Sequence, residues 1–597
     1  MKLKVLFVAL FCAIVSLNAQ DKAKWAKFLG GDISVSPALS HTGNAAINNL
    51  VLKDGYLFVN GYYSMDGCWN GVALPEDIGV NGMISKLDLD GNVQWTSTIT
   101  GISYPNSFTE IVVDNKGDVI ATGWASGYWE EGDCKINGEV VIPFHEDEAE
   151  MWATFNKGFV AKFSGEDGSL KWFEFWEMDN EVSSSRLTVD GDGNIYVLGH
   201  TWGAWGSVES ILIGGYDHAL TNHYSQDLFY FKMNPEGECE WVKTVDGYDG
   251  EYGEGASHMS ARSIVYSNDK LYIGTNYNGP VTINETELPE VTNEFGLMTA
   301  ILVADAESGE ITGFTTFGDV KGDQSIAHLK VDNKGNIIAV GYFYSTVGFK
   351  IGDTTLSLTG GEGGLDDAFV AKFDSDLNLL WAKNMGGDYI DKAFNLTVAD
   401  DNAISVGGGF DPASPFTYEG DALTIPAATG LSMFQLLIDE DGEFLDLHTI
   451  LVHTGDSQIS NSETAIHPSG RMFSAGNWLG LANLLDPMGE PMEEDHTKGF
   501  VMEWDREVIV TDIAPISVEN ATVAVGPNPF ADQLNIIINQ SHSAAVKIQI
   551  NSLDGRTVYS TTLNNSGIID LSFLNKGIYL LNVAGDRINT TKKIVKK

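Results

Sequence analysis

The chain has 597 residues, 43% of them apolar and 20% charged, so it exceeds one ordinary domain and can bury large cores. Acidic residues outnumber basic ones 82 to 35, for a formal charge of −47, which excludes nucleic acid as a partner because phosphate binding needs clustered Lys and Arg. The 65 glycines, 14 Trp, 20 Tyr and 29 Phe exclude a coiled coil and a disordered chain, and favour short strands joined by tight turns.

From Met1 to Ala19 a basic start (Lys2, Lys4) precedes an apolar run, Val5 to Leu17, and a small-residue end. This is the layout of a cleavable secretory signal, residues 1–19, cut between Ala19 and Gln20. The run is shorter than the ~20 residues a membrane anchor needs, and no later stretch qualifies, so no transmembrane segment is expected. Cys68, Cys134 and Cys239 remain after the signal. An odd count leaves at least one thiol unpaired. Cys68 and Cys134 occupy related places in successive repeats and could bridge; three free thiols is the simpler reading.

One phrase then recurs roughly every 70 residues: a strand, a tight turn, a β-rich strand and a glycine. It is found at Leu50–Gly61, Ile111–Gly123, Leu187–Gly199, Ile264–Gly274, Leu329–Gly341, Leu396–Gly407 and Thr464–Gly476. A second phrase, strand, polar turn and usually a tryptophan, follows each copy, as in Phe159–Phe163 with Trp172 and Phe369–Phe373 with Trp381. Four strands per period repeated seven times predict an all-β chain, a seven-bladed β-propeller over residues 20–510. The last copy lacks its fourth strand, while Trp25–Gly31 resembles Trp381–Gly387. The N-terminal strand is therefore expected to complete the seventh blade. These phrases, with an inserted hairpin of the form Phe349–Leu356 echoed at Cys134–Val141, Val281–Leu288 and Phe416–Leu423, resemble SBBP-type β-propeller repeats of exported bacterial proteins. That resemblance implies an architecture and no particular activity.

The turns divide by length. Tight turns such as Asp332–Gly335 and Asp439–Gly442 lie on one face, and the long connections fall on the other, where binding residues usually sit. The long connections carry the candidate ligand-binding residues: Trp129, Trp202, Trp205 and Trp478, Tyr104, Tyr248 and Tyr389, and the acids Asp249, Glu251, Asp388 and Asp391. Aromatic faces beside acceptor carboxylates suit a sugar ring or a protein partner. The fourth-strand tryptophans Trp25, Trp95, Trp172, Trp241 and Trp381 read as blade packing instead. No cofactor is indicated. Asp88–Asn92 and Asp190–Asn194 superficially suggest calcium loops but lack the flanking helices and the twelfth-position Glu, so they read as turns. The acids of the long connections could hold a hard cation around the propeller mouth. No Gly-x-Ser-x-Gly, His-Glu-x-x-His or phosphate loop is present, and no catalytic residue is assigned.

The end of the chain is a separate unit. Residues 523–597 carry eight basic and four acidic residues, opposite in sign to the rest, and 511–522 read as a linker. Alternating strands at Gln533–Ile538, Val546–Ile550 and Ile578–Val583, with a hairpin turn at Asp554–Arg556, predict a small antiparallel sandwich. Pro527-Asn528-Pro529, Gly555-Arg556, Gly577-Ile578-Tyr579 and terminal Lys592-Lys593 stand in the order and spacing of the type A C-terminal sorting domain of type IX secretion cargo in Bacteroidota, which this segment resembles. The resemblance implies delivery by the type IX machinery to the extracellular space or the outer-membrane surface. The expectation is a secreted binding or adhesion propeller for a surface glycan or protein. The alternatives are a polysaccharide-active enzyme with paired carboxylates at the mouth and a structural surface component.

Overall fold

The computed structural model describes residues 23–30, 45–64, 67–75, 80–101, 106–127, 133–142, 155–177, 182–201, 210–213, 216–219, 225–248, 257–290, 296–345, 347–360, 365–423, 425, 428, 430–452, 458–479, 482–485, 491–492, 498–504, 521–526, 530–540, 546–552, 556–563, 567–585 and 588–597. The regular structure among them is β throughout. The chain divides into two compact units between Asp505 and Arg506. The signal region and residues 511–520 lie outside the described residues, and the expected 511–522 linker is corrected at its end, where Ala521 and Thr522 already pair within the strand Ala521–Gly526.

In the larger unit the strands pair in antiparallel sets of four. Ala45–Lys53, Tyr56–Ser64, Val80–Asp88 and Val93–Thr100 form the first. Later sets begin at Ser107–Val113, Val182–Val189, His258–Ser267, Asp323–Val331 and Lys392–Val398. In the last, Gln458–Ile466, Met472–Leu479 and Lys498–Trp504 pair in order. The strand beside Lys498–Trp504 is Ala23–Gly30, with Phe28 opposite Phe500 and Ala26 opposite Met502. The first strand of each set packs against the first strand of the next, and Gln458–Ile466 packs against Ala45–Lys53. No single sheet among the described residues closes on itself.

The core lies between sets, because each strand alternates side chains to both faces of its sheet and both faces are covered. Tyr272, Ile301 and Phe317 meet Ile326 and Phe369 of the following set. Leu29, Ile47 and Leu57 meet Phe473 and Val501. Burying each such side chain contributes about 1.5–3 kcal/mol. Inserted hairpins extend the sheets: Cys134–Ile136 pairs with Val93–Thr100, Thr417–Tyr418 with Leu379–Gly386, and Cys68–Trp69 with Ala23–Gly30. Each hairpin follows the second strand of one set and docks on the last strand of the set before it. No disulfide joins Cys68 and Cys134, so the suggested bridge does not form; burial pushes the Cys134 thiol up to about 12.

Every first strand carries a β-bulge, as between Ile47 and Asn49, Ile326 and His328, or Asn461 and Glu463. A bulge increases local twist, which suits strands that must converge. It also frees an N–H, and a side chain from the set before it takes that group: Ile47 N donates to Asn477 Oδ1 at 2.9 Å, Ile326 N to Asn276 Oδ1 at 2.9 Å and Ala261 N to His200 Nδ1 at 3.2 Å.

The smaller unit is built from two sheets. Ala521–Gly526, Gln533–Gln540 and Gly567–Asp570 form one; Thr557–Leu563, Val546–Ser552, Gly577–Gly585 and Ile588–Lys596 form the other. Leu534, Ile536, Ile548, Leu581 and Ile594 fill the space between them. The terminal lysines form an edge strand; Phe530 N donates to Val595 O at 2.8 Å, and Lys596 pairs with Asp532 at 2.9 Å.

Candidate functional site

At the tight-turn ends the turn carboxylates are occupied by their own backbone. Asp88 Oδ1 accepts the N–H groups of Asp90 and Asn92 at 2.9 Å, and its Oδ2 accepts from the Asn92 amide at 2.8 Å. Asp190 repeats this arrangement with Asp192 and Asn194. The two calcium-like segments are therefore Asx turns whose carboxylates are spent on their own backbone. Desolvation acts upward on Asp88, yet these hydrogen bonds hold its carboxyl below the usual range.

Three of the fourth-strand tryptophans lock their set to the next, whereas Trp241 Nε1 finds no acceptor among the described residues. Trp95 Nε1 donates to Gly165 O at 3.3 Å, Trp172 to Pro235 O at 3.2 Å and Trp381 to Glu440 O at 3.2 Å. Trp25, on the N-terminal strand, makes the same contact with Leu89 O at 3.2 Å. Beside each indole stands a turn glycine of positive φ: Gly91 at +77°, Gly237 at +93° and Gly442 at +82°. An added Cβ on Gly442 would lie 3.2 Å from Trp381. Lys162 and Lys372 bury their ammonium groups beside Asp114 at 2.9 Å and Asp332 at 2.8 Å.

Sequence reasoning missed a polar belt on the first strands. The residue after each bulge is Asn49, Glu110, Arg186, Ser263, His328, Asn395 or Glu463. Glu110 Oε2 accepts from Leu187 N at 3.0 Å, and Ser263 Oγ from Leu329 N at 3.0 Å. Asn49 donates its amide to Glu463 Oε2 at 3.3 Å, and His328 Nδ1 lies 3.9 Å from the same oxygen. Burial pushes the Glu463 carboxyl up to about 8 despite the nearby Lys330, and pushes Glu110 upward. Burial, with Lys330 and Arg186 adding to it, holds His328 well below the usual histidine range. The signal was available: each of these residues immediately precedes the aliphatic or Thr that opens a repeat phrase.

The long-connection ends hold the sequence candidates that are described. Tyr248 is 56% exposed and Tyr389 44%, with Asp388 exposed beside Tyr389. Trp478 is corrected: it belongs to the strand Met472–Leu479, is fully buried and packs edge-on to Phe28 at 5.0 Å, so it offers no face to a ligand. Asp391 is corrected likewise. Its carboxylate is fully buried and accepts from Gly387 N at 2.6 Å and Asp411 N at 3.3 Å, tying two connections together. Trp129, Trp202, Trp205, Tyr104, Asp249 and Glu251 lie outside the described residues. Of the described candidates the structure brings Asp388, Tyr389 and Asp391 together, and it sets Tyr248 at another connection.

Beside Asp391 is Asp367, also fully buried. Its Oδ2 accepts from Thr359 N at 2.7 Å and Thr359 Oγ1 at 2.8 Å, while Oδ1 has no partner. Both carboxylates flank Gly386: an added Cβ there would lie 2.4 Å from Asp367 Oδ1 and 3.1 Å from Asp391 Oδ2. Burial pushes Asp367 up to about 6, and burial with the Asp367 charge pushes Asp391 up to about 8. Among the described residues no three His, Cys, Asp or Glu side chains are grouped as metal ligands.

Residues 524–597 match the family model of the secretion system C-terminal sorting domain, and residues 179–204 that of the β-propeller repeat. The chain thus combines a β-propeller with a type IX sorting tail, which implies export to the cell surface or extracellular space. In the sorting segment, Gly577, Tyr579, Lys592 and Lys593 stand on its last two strands and Arg556 at a strand start, whereas 527–529 and 555 lie outside the described residues. No described helix is long and apolar enough to cross a membrane. Over 413 residues the chain is 23% identical to an uncharacterized WD repeat-containing protein of Acanthamoeba polyphaga mimivirus, covering 61% of this chain and 29% of that protein. The chain therefore spans less than a third of the length of that relative. Among solved structures it is similar to a protein of unknown function from Dyadobacter fermentans, at 11% identity and TM-score 0.33, covering 66% of this chain and 93% of that one. It is also similar to the Dos1 propeller, at 8% identity and TM-score 0.34, covering 81% and 95%.

Proposed function

We propose that this is a secreted, surface-displayed binding protein. Its propeller has seven blades, with Ala23–Gly30 as the outer strand of the last, and it takes an extracellular glycan or protein through the long-connection face. The observation that carries the binding reading is the exposed Tyr389 and Asp388, held in place by a buried Asp391 that ties the two neighbouring connections. A large exposed aromatic fixed on a buried anchor is the form a recognition residue takes. Trp25, using the same inter-set contact as Trp172 and Trp381, supports the outer-strand assignment. The C-terminal unit, whose first strand is Ala521–Gly526, delivers the propeller and contributes nothing to binding.

The test has two arms. The full chain is applied to a glycan array and to immobilised surface proteins, with and without calcium, beside Tyr389→Ala. Loss of whatever signal is found in that variant supports the reading; an unchanged signal overturns it. Deleting 523–597 should leave the propeller folded but retained in the periplasm, and normal release would overturn the delivery assignment.

A further inference from the structure

An apolar patch occupies one sector of the long-connection face. Leu365, Tyr389, Ile390, Phe394 and Leu431 are each between 38% and 44% exposed. They converge because Asp391 N donates to Asp366 O at 2.8 Å, bringing the segment after Leu365 beside the one after Ile390. Phe394 stands at the bulge of its strand, and its ring edge is 3.6 Å from where a Cβ on Gly409 would lie. That glycine neighbours the Phe410–Ser432 pair, one residue from Leu431. Single exposed apolar residues need no explanation, but five together on a rigid rim do.

The surroundings specify the occupant. Asp388 is exposed at the edge, and Asp411 and Asp366 are half-buried around it. The neighbouring cation, Lys392, is already paired with Asp366 at 2.9 Å and lies 3.9 Å over the Tyr342 ring. Three of the five apolar side chains are aliphatic and lack the flat face on which a sugar ring stacks. An apolar centre with an acidic rim complements a polypeptide whose apolar side chains are flanked by Lys or Arg.

We propose that this sector docks a basic amphipathic polypeptide segment, with Leu365, Ile390 and Phe394 as the apolar seat and Asp388 as a rim contact. The inference rests on the long-connection face being the binding face. It goes further in naming the sector and the partner chemistry.

The test uses the full chain and two synthetic peptides of equal charge, one alternating Leu with Lys and the other alternating Ser with Lys. The Leu peptide should bind at least 10-fold more tightly than the Ser peptide. The double variant Leu365→Ser, Ile390→Ser should lose that advantage, whereas Leu445→Ser, an exposed residue on an outer strand, should keep it. Asp388→Lys, which leaves the apolar seat untouched, should weaken the Leu peptide several-fold even if the double variant folds poorly. Equal binding of the two peptides would mean charge attraction alone and overturns the proposal. So does a double variant that binds like the parent, or no peptide binding at all. If in that last case an oligosaccharide signal disappears in Tyr389→Ala, the binding face stands and only the partner assignment falls.

Discussion

On the tight-turn side of the propeller, Trp381 donates to Glu440 O and Lys372 pairs with Asp332; on the long-connection side, Asp367 keeps a buried oxygen without a partner and Tyr389 stands in solvent. The same strands serve both ends, so the difference does not arise from the scaffold. Wherever the outer strand carries a tryptophan, the tight turns repeat one solution, an indole packed under a positive-φ glycine. The long connections each differ. Repetition marks what blades share in packing, and departure from it marks what one sector is used for.

Breaking the lock should have the largest effect. Trp381→Ala removes a large packed side chain and one of the two donors to the Glu440 carbonyl, which Lys372 still holds, and should cost about 3 kcal/mol in urea unfolding. Trp25→Ala should cost a similar amount, because its indole makes the same contact with Leu89 O. A loss under ~1 kcal/mol for Trp25 beside a full loss for Trp381 would show that the N-terminal strand is not equivalent to the other outer strands.

Titration should separate the two sides by sign. Hydrogen bonds from Lys372 and Asn336 outweigh desolvation at Asp332 and hold its carboxyl low. Its contribution is therefore present above the usual carboxylate range and is lost as the pH falls into acid. Glu463 and Asp391, both pushed up to about 8, behave oppositely. Each holds its proton in the folded state to higher pH than in the unfolded chain, so stability falls between about pH 4.5 and 8. Glu463→Gln should match the parent below about pH 4.5 and exceed it by roughly 2 kcal/mol or more at pH 9, since each tenfold change in proton affinity is worth about 1.4 kcal/mol. A variant no more stable than the parent at pH 9 would contradict the buried acid.

How much of this was legible depends on whether similarity or difference carried the signal. The strand order, the inserted hairpins and the tryptophan positions follow from recurring phrases, since packing demands like residues at like places. The belt of Glu110, Arg186, His328 and Glu463 was passed over because the side chain at that position changes in each copy, and its meaning lies in neighbours 60 or more residues away. Trp478 was misplaced because its strand runs to Leu479, beyond the phrase-ending glycine at Gly476. Asp391 looked like a loop acid, and nothing local indicates that Gly387 and Asp411 would both donate to it.

The glycines permit a finer separation. Gly442 and Gly420 have nearly the same φ, +82° and +83°, but an added Cβ would meet Trp381 at the first and nothing within 4 Å at the second. Gly420→Ala should cost the backbone strain alone, about 1 kcal/mol. Gly442→Ala should cost about 1 kcal/mol more, because the indole must shift. Equal losses would mean that the glycine serves the turn and not the lock.

The smallest effect on stability is expected at Tyr389, and that smallness is the test of the comparison. The ring is 44% exposed, and the anchoring of its connection runs through the Asp391 carboxylate rather than through the ring. Tyr389→Ala should therefore unfold within about 0.5 kcal/mol of the parent, as surface substitutions generally do. Asp391→Asn, by contrast, keeps one acceptor oxygen but loses the second, and should loosen the Gly387 and Asp411 contacts together. If recognition and folding are separate at this end of the molecule, Tyr389→Ala loses binding with its melting temperature intact, while Asp391→Asn loses both. A Tyr389 variant that melts several degrees lower would place the ring in the packing of the connection, and would give the long-connection side the same purpose as the tight turns.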